Sequence, residues 1–170
     1  PMSFPPLPPG GQFWLGTDLL GRDLLSRMIH GARATLLVGI LANGIALAIG
    51  ATIGITAGYL RGVVGSILMR FTDLMSAFPA LLLAILLAAM FRPSLWIVVI
   101  VIALVSWVQV ARVVYAETVS LAERDYVVAV RAAGAGTPRI LLRHVLPHLF
   151  PILIVWGTLG IATTSLFEAM

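Results

Sequence analysis

"ATLLVGILANGIALAIGATIGITAGYL", residues 34–60, carries no charged side chain over its whole length. A helix crosses the hydrocarbon core of a bilayer in about 20 apolar residues, so this stretch reads as a transmembrane helix with length to spare. Ala42, Ala46, Gly50, Gly54 and Gly58 recur along it every four residues. Such a row of small side chains lies on one helix face and lets a second helix approach closely. The whole chain agrees with this reading: 60% of its 170 residues are hydrophobic and only 11% are charged, whereas soluble domains carry about 25% charged residues. The fold class expected is an all-α, polytopic membrane protein.

Working outward, three more spans are expected. Residues 74–91, "LMSAFPALLLAILLAAMF", form a second uncharged run with Pro79 near its start. Arg92-Pro93 makes a tight break. Residues 93–111 form a third span, with Trp96 and Trp107 near its ends as interfacial aromatics. Residues 145–167 form a fourth, with Pro147 and Pro151 in its first turns, where helical N–H groups lack intrahelical partners anyway. On the N-terminal side, residues 1–11 hold five prolines and two glycines and read as extended; they lack the pattern of a signal peptide. Residues 17–33 read as an amphipathic helix on the membrane surface. Thr17 is its expected cap, Asp18/Arg22 and Asp23/Arg27 stand at ion-pair spacing, and Leu19, Leu20, Leu24 and Met28 form its apolar stripe. Residues 1–33 together make an outer-side segment.

Composition also excludes function classes. There is no Cys, hence no disulfide framework and no thiolate metal site. All eleven basic residues are Arg. A Walker-type phosphate loop needs a Lys, so the chain is not itself a P-loop ATPase. The net charge of +4 reads as topology signal rather than nucleic-acid affinity. Arg61, Arg70, Arg112, Arg124, Arg131, Arg139 and Arg143 fall on one side of the four spans, and Arg22, Arg27, Arg33 and Arg92 on the other. The positive-inside rule places the first set in the cytoplasm. Asp73 near Arg70, and Glu117 near Arg112, are expected to be satisfied at that interface; Glu168 is expected at the outer mouth. His144 and His148 stand at metal-ligand spacing, but no Glu accompanies them and Pro147 intervenes, so no metal site is assigned. No catalytic elbow or carboxylate pair is present, and no enzymatic role is expected.

The long cytoplasmic loop, residues 112–144, needs its own explanation, because plain connectors are shorter. Its core and the start of the fourth span read "YVVAVRAAGAGTPRILLRHVLPHLFP", residues 126–151. A helix from about Leu121 to Ala133 ends at Gly134. Thr137 is the expected cap of a second helix with Pro138 at its first position, and Ile140, Leu141, His144 and Val145 lead on into the fourth span. The first helix presents Tyr126, Val127, Val130 and Ala133 as small and apolar positions. Such a compact helix, parallel to the membrane, is shaped to dock into a groove of another protein.

This stretch resembles the EAA loop of ABC-importer permease subunits, whose pattern is EAA, three residues, Gly, nine residues, then I-x-L-P. Here the positions are Val128-Ala129-Val130, Gly134 and His144-Val145-Leu146-Pro147. Spacing is kept, while Val128 replaces the Glu, Val130 the second Ala and His144 the Ile. "GTDLLGRDLLSRMIHGARATLL" (16–37), "RFTDLMSAFPALLLAILLA" (70–88) and the terminal "SLFEAM" are similar to segments of the dipeptide/oligopeptide/nickel branch. The resemblance implies a type I importer permease fold of the methionine-permease kind, with the spans here being the second to fifth of six. It implies transport of di/oligopeptides or nickel across a bacterial or archaeal plasma membrane. It further implies a second homologous permease, two cytoplasmic ATPases that use the ATP, an external solute-binding protein, no directly bound cofactor and no nucleic acid. The residues it assigns to ATPase coupling are Tyr126, Ala129, Arg131, Ala132, Ala133, Gly134, Arg139, Ile140, His144, Leu146 and Pro147. A permease of another ABC branch, such as one for amino acids, and a non-transporting scaffold subunit are the alternative readings.

Overall fold

The computed structural model describes residues 6–78, 80–92 and 94–169. Every named element among them is helical. The chain divides into two compact units, one ending at Leu37 and the other starting at Val38.

In the first unit, residues 17–23 form a tight turn rather than the start of a helix. Thr17 and Asp23 pair in an isolated antiparallel bridge. Thr17 does not cap a helix; its hydroxyl accepts from the Leu7 N–H at 2.9 Å. The cap is Asp23, whose carboxylate accepts from the Leu25 and Ser26 N–H groups at 3.3 and 3.2 Å, and helix α1 (Leu24–Leu60) begins beside it. The expected i,i+4 ion pairs do not form. Asp18 instead pairs with Arg27 and accepts from the Leu20 and Arg22 N–H groups, both at 2.9 Å. The Arg22 N–H foremost, with the Leu20 N–H and the Arg27 guanidinium, holds its carboxyl below the ordinary value against a smaller desolvation effect. A carboxylate satisfied within its own turn has no reason to seek the next helical turn.

In the second unit, α1 continues to Leu60. The chain reverses at Arg61 (φ 51, ψ −157) and Gly62 (φ 53). A non-glycine residue in that region costs on the order of 1–3 kcal/mol and persists only where surrounding contacts fix it. Here Arg61 donates to Glu123 Oε1 and to the Val119 carbonyl, both at 2.9 Å. Helix α2 (Gly62–Ala77) follows, then α3 (Ala80–Met90). The uncharged run 74–91 is therefore not one helix. Phe78 is extended (φ −77, ψ 125), the conformation favoured before a proline; Pro79 lies outside the described residues. At eleven residues α3 spans about 16 Å, short of the hydrocarbon core.

Helix α4 (Leu95–Ala122) starts at Ser94, whose hydroxyl accepts from the Ile97 N–H at 3.3 Å; Pro93 lies outside the described residues. It runs eleven residues beyond the boundary expected at Ala111, so the first part of the expected loop is a continuation of the span. Trp107 is only 4% exposed and stacks on Phe71 with ring centroids 6.0 Å apart. It is an interior anchor, not an interfacial aromatic. Asp73 pairs with Arg112 of α4 at 2.8 Å, not with Arg70.

Helix α5 (Asp125–Ala132) leads to α6 (Thr137–Ile140), capped by Gly136, with Thr137 inside it and making no side-chain cap bond. A π-turn at Leu141–Val145 passes into α7 (Leu146–Ala169). Pro147 thus lies in the first turn of α7, as expected, with the π-turn running into it without a break, while Pro151 lies inside the helix. The Leu146 N–H reaches back to the Leu141 carbonyl, and this wider turn lies just before Pro147, where a regular helix would clash.

Among the described residues three helices are long and apolar enough to cross a membrane: Leu24–Leu60, Leu95–Ala122 and Thr137–Thr163. A Cβ at Gly50 would meet Val110 at 2.7 Å; at Gly54 it would meet Val114 at 2.8 Å, and at Gly58 Thr118 at 2.8 Å. The paired numbers rise together, so α1 and α4 are parallel. Gly157 lies against Leu47, Gly160 against Asn43 and Ile161 against Gly39, so α7 is antiparallel to α1. For α1 and α4 to be parallel, residues 61–94 must return along the layer; α2 and α3 make that return in two pieces. Without water to drive helices together inside a bilayer, such close backbone packing is what associates them.

Candidate functional site

The basic end of the second unit carries a helical elbow built from α5, α6 and the start of α7. Its underside is fixed. Val127, Ile140, Val145 and Leu149 are fully buried and pack with Val110, Val114 and Leu121 of α4. Two aromatic contacts add to this. The Arg131 guanidinium lies over the Tyr59 ring of α1, 5.0 Å from its centroid. Tyr126 stacks on His148 of α7 at 5.5 Å. His148 Nδ1 contacts the His144 carbonyl at 2.9 Å, a bond in which the ring nitrogen donates.

The bend is set by local rules. α5 has Asp125 in its first turn and Arg131 in its last, each matched to the helix dipole. Gly134 takes φ +85. Its N–H bonds the Arg131 carbonyl at 3.0 Å, and the Ala135 N–H bonds the Val130 carbonyl at 3.3 Å. That pair of bonds is a Schellman ending, which needs a left-handed residue where Gly134 stands.

The outward surface is different in kind. Val128, Ala129, Ala132, Ala133, Arg139, Leu142 and Arg143 are exposed, with Arg131 beside them. The result is a low, small-residue surface edged by guanidinium groups. Among the residues assigned from the sequence, Ala129, Arg131, Ala132, Ala133, Gly134, Arg139 and Pro147 are exposed, Tyr126, His144 and Leu146 are half-buried, and Ile140 is fully buried. Ile140 is therefore an anchor of the elbow. Val127, Tyr59 and His148 carry the elbow without having been singled out for it. Val127 was legible as apolar, but the partners of Tyr59 and His148 are distant in sequence.

Two cavities adjoin α4. One of about 740 Å³ lies among α2, α3 and α4 and is lined by Met75, Phe78, Leu104, Val108, Gln109 and Arg112 among others. A smaller one of about 360 Å³ lies among α1, α4 and α7, next to Asn43, Ser106, Gln109 and Trp156. Among the described residues no group of three or more His, Asp or Glu side chains is placed to hold a metal.

A parallel–antiparallel helix bundle with a helical elbow at its basic end is the build of a multi-pass membrane permease. Residues 50–168 match the family model described as binding-protein-dependent transport system inner membrane component, and the chain belongs to that family. It is 46% identical over 162 residues to the di/tripeptide transport system permease protein DppC of Pseudomonas aeruginosa (strain UCBPP-PA14), an alignment covering 94% of this chain and 54% of that protein. It is 35% identical over 159 residues to the oligopeptide transport system permease protein OppC of Haemophilus influenzae (strain ATCC 51907 / DSM 11121 / KW20 / Rd), covering 94% and 51%. The dipeptide transport system permease protein DppC of Bacillus subtilis (strain 168) is 36% identical over 163 residues, covering 96% and 51%. The chain thus spans about half the length of the curated relatives it matches.

Proposed function

We propose that the chain forms part of the translocation pathway of an ATP-driven importer of short peptides, and that the elbow at residues 125–147 is where a cytoplasmic ATPase engages it. The single observation that carries the coupling role is the contrast between the two sides of α5. Val127 beneath it is fully buried, while Ala129, Ala132 and Ala133 above it are exposed. A helix so anchored and so flat can fill another protein's groove and pass a push to α4 and α7 without deforming. The names of the relatives favour peptides over nickel as cargo.

On this reading α1, the α2–α3 pair, α4 and α7 are four crossings of a bacterial plasma membrane. The basic end, with Arg61, Arg124, Arg131, Arg139 and Arg143, is cytoplasmic. The working assembly holds a second homologous permease, two ATPases that consume the ATP, and an external binding protein. Ala129→Cys in the assembled transporter, treated with a short thiol cross-linker, is expected to join this chain to the ATPase. Absence of any ATPase adduct, with the exposed Leu20→Cys in the first unit equally unreactive toward the ATPase as a control, would remove the coupling assignment.

A further inference from the structure

Arg112 stands where the uncharged part of α4 ends, and its side chain is 49% exposed although it is paired with Asp73. Both of its hydrogen bonds, to Asp73 Oδ1 at 2.8 Å and to Ser76 Oγ at 2.9 Å, come from Nη2. Nη1 and Nε have no partner among the described residues. A guanidinium offers five N–H donors in a planar fork suited to a carboxylate, so most of this fork is free. It opens on the 740 Å³ cavity, whose wall is otherwise mostly apolar, with Gln109 one helical turn away. Gln109 also borders the smaller cavity on the other side of α4.

Charged groups at the edge of membrane helices are costly unless they face protein or water-filled space. Arg112 and Gln109 of α4, with Asp73 of α2 paired to Arg112, therefore mark a wet seam between the two helices. The volume, the apolar wall and the few convergent polar groups match those of a small-ligand site. We propose that this groove is a stretch of the solute path, with the free edge of Arg112 taking the terminal carboxylate of a short peptide, Gln109 bonding its amide groups, and Asp73 and Ser76 holding the other edge of the guanidinium in place. The proposal rests on the peptide-importer reading above and adds to it a place and a recognising chemistry.

The absence of native cysteine from this sequence makes a direct test available. Gln109→Cys, and Ile45→Cys as an exposed apolar residue bordering neither cavity, are made in the assembled transporter. Inside-out membrane vesicles without ATP are treated with a membrane-impermeant thiol reagent, and labelling of the unsubstituted complex is subtracted. Gln109→Cys is expected to be modified and Ile45→Cys spared. A tripeptide with a free carboxylate, at about ten times its dissociation constant, is expected to slow modification roughly tenfold, and its C-terminal amide to protect far less. In the Gln109→Cys, Arg112→Gln double variant that preference for the free carboxylate is expected to vanish. No modification of Gln109→Cys in a complex that still imports peptides would overturn the groove and leave the peptide reading standing. Equal protection by acid and amide would overturn the role of Arg112. A modified but unprotected cysteine, when the unsubstituted complex imports peptides, would overturn the site alone; an unsubstituted complex that imports no peptide would overturn the peptide reading.

Discussion

The guanidinium of Arg131 lies 5.0 Å from the centroid of the Tyr59 ring, which fastens helix α5 to the end of α1. Arg131 then serves the elbow from within, as well as edging the surface that a partner would meet. A cation–π contact at such a half-exposed position is worth about 0.5–1 kcal/mol. That is too little to hold the fold and enough to bias how α5 sits. Tyr59→Leu and Arg131→Gln are each expected to lower peptide uptake per ATP hydrolysed in reconstituted vesicles. The double variant is expected to be no worse than the poorer single one, because the two act through one contact. Fully additive losses would place the function of Arg131 in the partner interface instead.

The Schellman ending of α5 makes Gly134 the position least able to change. Any side chain at φ +85 costs about 1–2 kcal/mol, with Asn the best tolerated. Pro would also forbid that φ and remove the N–H that bonds the Arg131 carbonyl. The expected order of coupled uptake is Gly, then Asn, then Val, then Pro. ATPase activity of the assembled complex is expected to survive as uptake falls, since the proposed function puts the nucleotide site on another chain. Hydrogen exchange over residues 125–137 should rise in the same order.

Why some of this was readable in advance, and some not, comes down to the range of the interactions. Gly134 obeys a motif closed within six residues, so its role at the end of α5 could be read locally. The run at 34–60 was readable because hydrocarbon thickness acts on every residue in it. Helix α2 was missed because Arg70 and Asp73 end an uncharged run without ending a helix. Asp73 finds its counter-charge on Arg112, 39 residues away, a pairing that no local spacing announces. The burial of Ile140 and Trp107 likewise depends on which helices face them. Thr17 failed as a cap because its hydroxyl is taken by the Leu7 N–H, ten residues upstream.

The turn at residues 17–23 should respond to acid in one direction only. Asp18 is held below the ordinary carboxylate value, chiefly by the Arg22 N–H. A depressed folded-state value means its contribution is complete above the unfolded value and is lost as pH falls through the folded one. Lowering the pH from neutral to mildly acidic should therefore leave the turn intact, while strong acid loosens it. Asp18→Asn should loosen it already at neutral pH. Protease cleavage between Leu15 and Leu25, followed against pH in both forms, reads this directly; equal protection of the two at neutral pH would count against the turn.

The stripe of small residues on α1 yields a prediction with its own internal control. A Cβ at Gly54 would come within 2.6 Å of the Ala111 carbonyl oxygen, whereas one at Gly44 meets nothing within 4 Å. Both positions lie on the same helix and both substitutions to Ala raise helix propensity. Gly54→Ala must push α1 and α4 apart at the point where parallel packing brings their backbones together, an overpacking cost of about 1–3 kcal/mol. Gly44→Ala should be neutral or slightly stabilising. Thermal unfolding of the purified transporter in detergent is expected to separate the two clearly, with Gly54→Ala lower. If both fell together, helix flexibility rather than close approach would be the reason for glycine here.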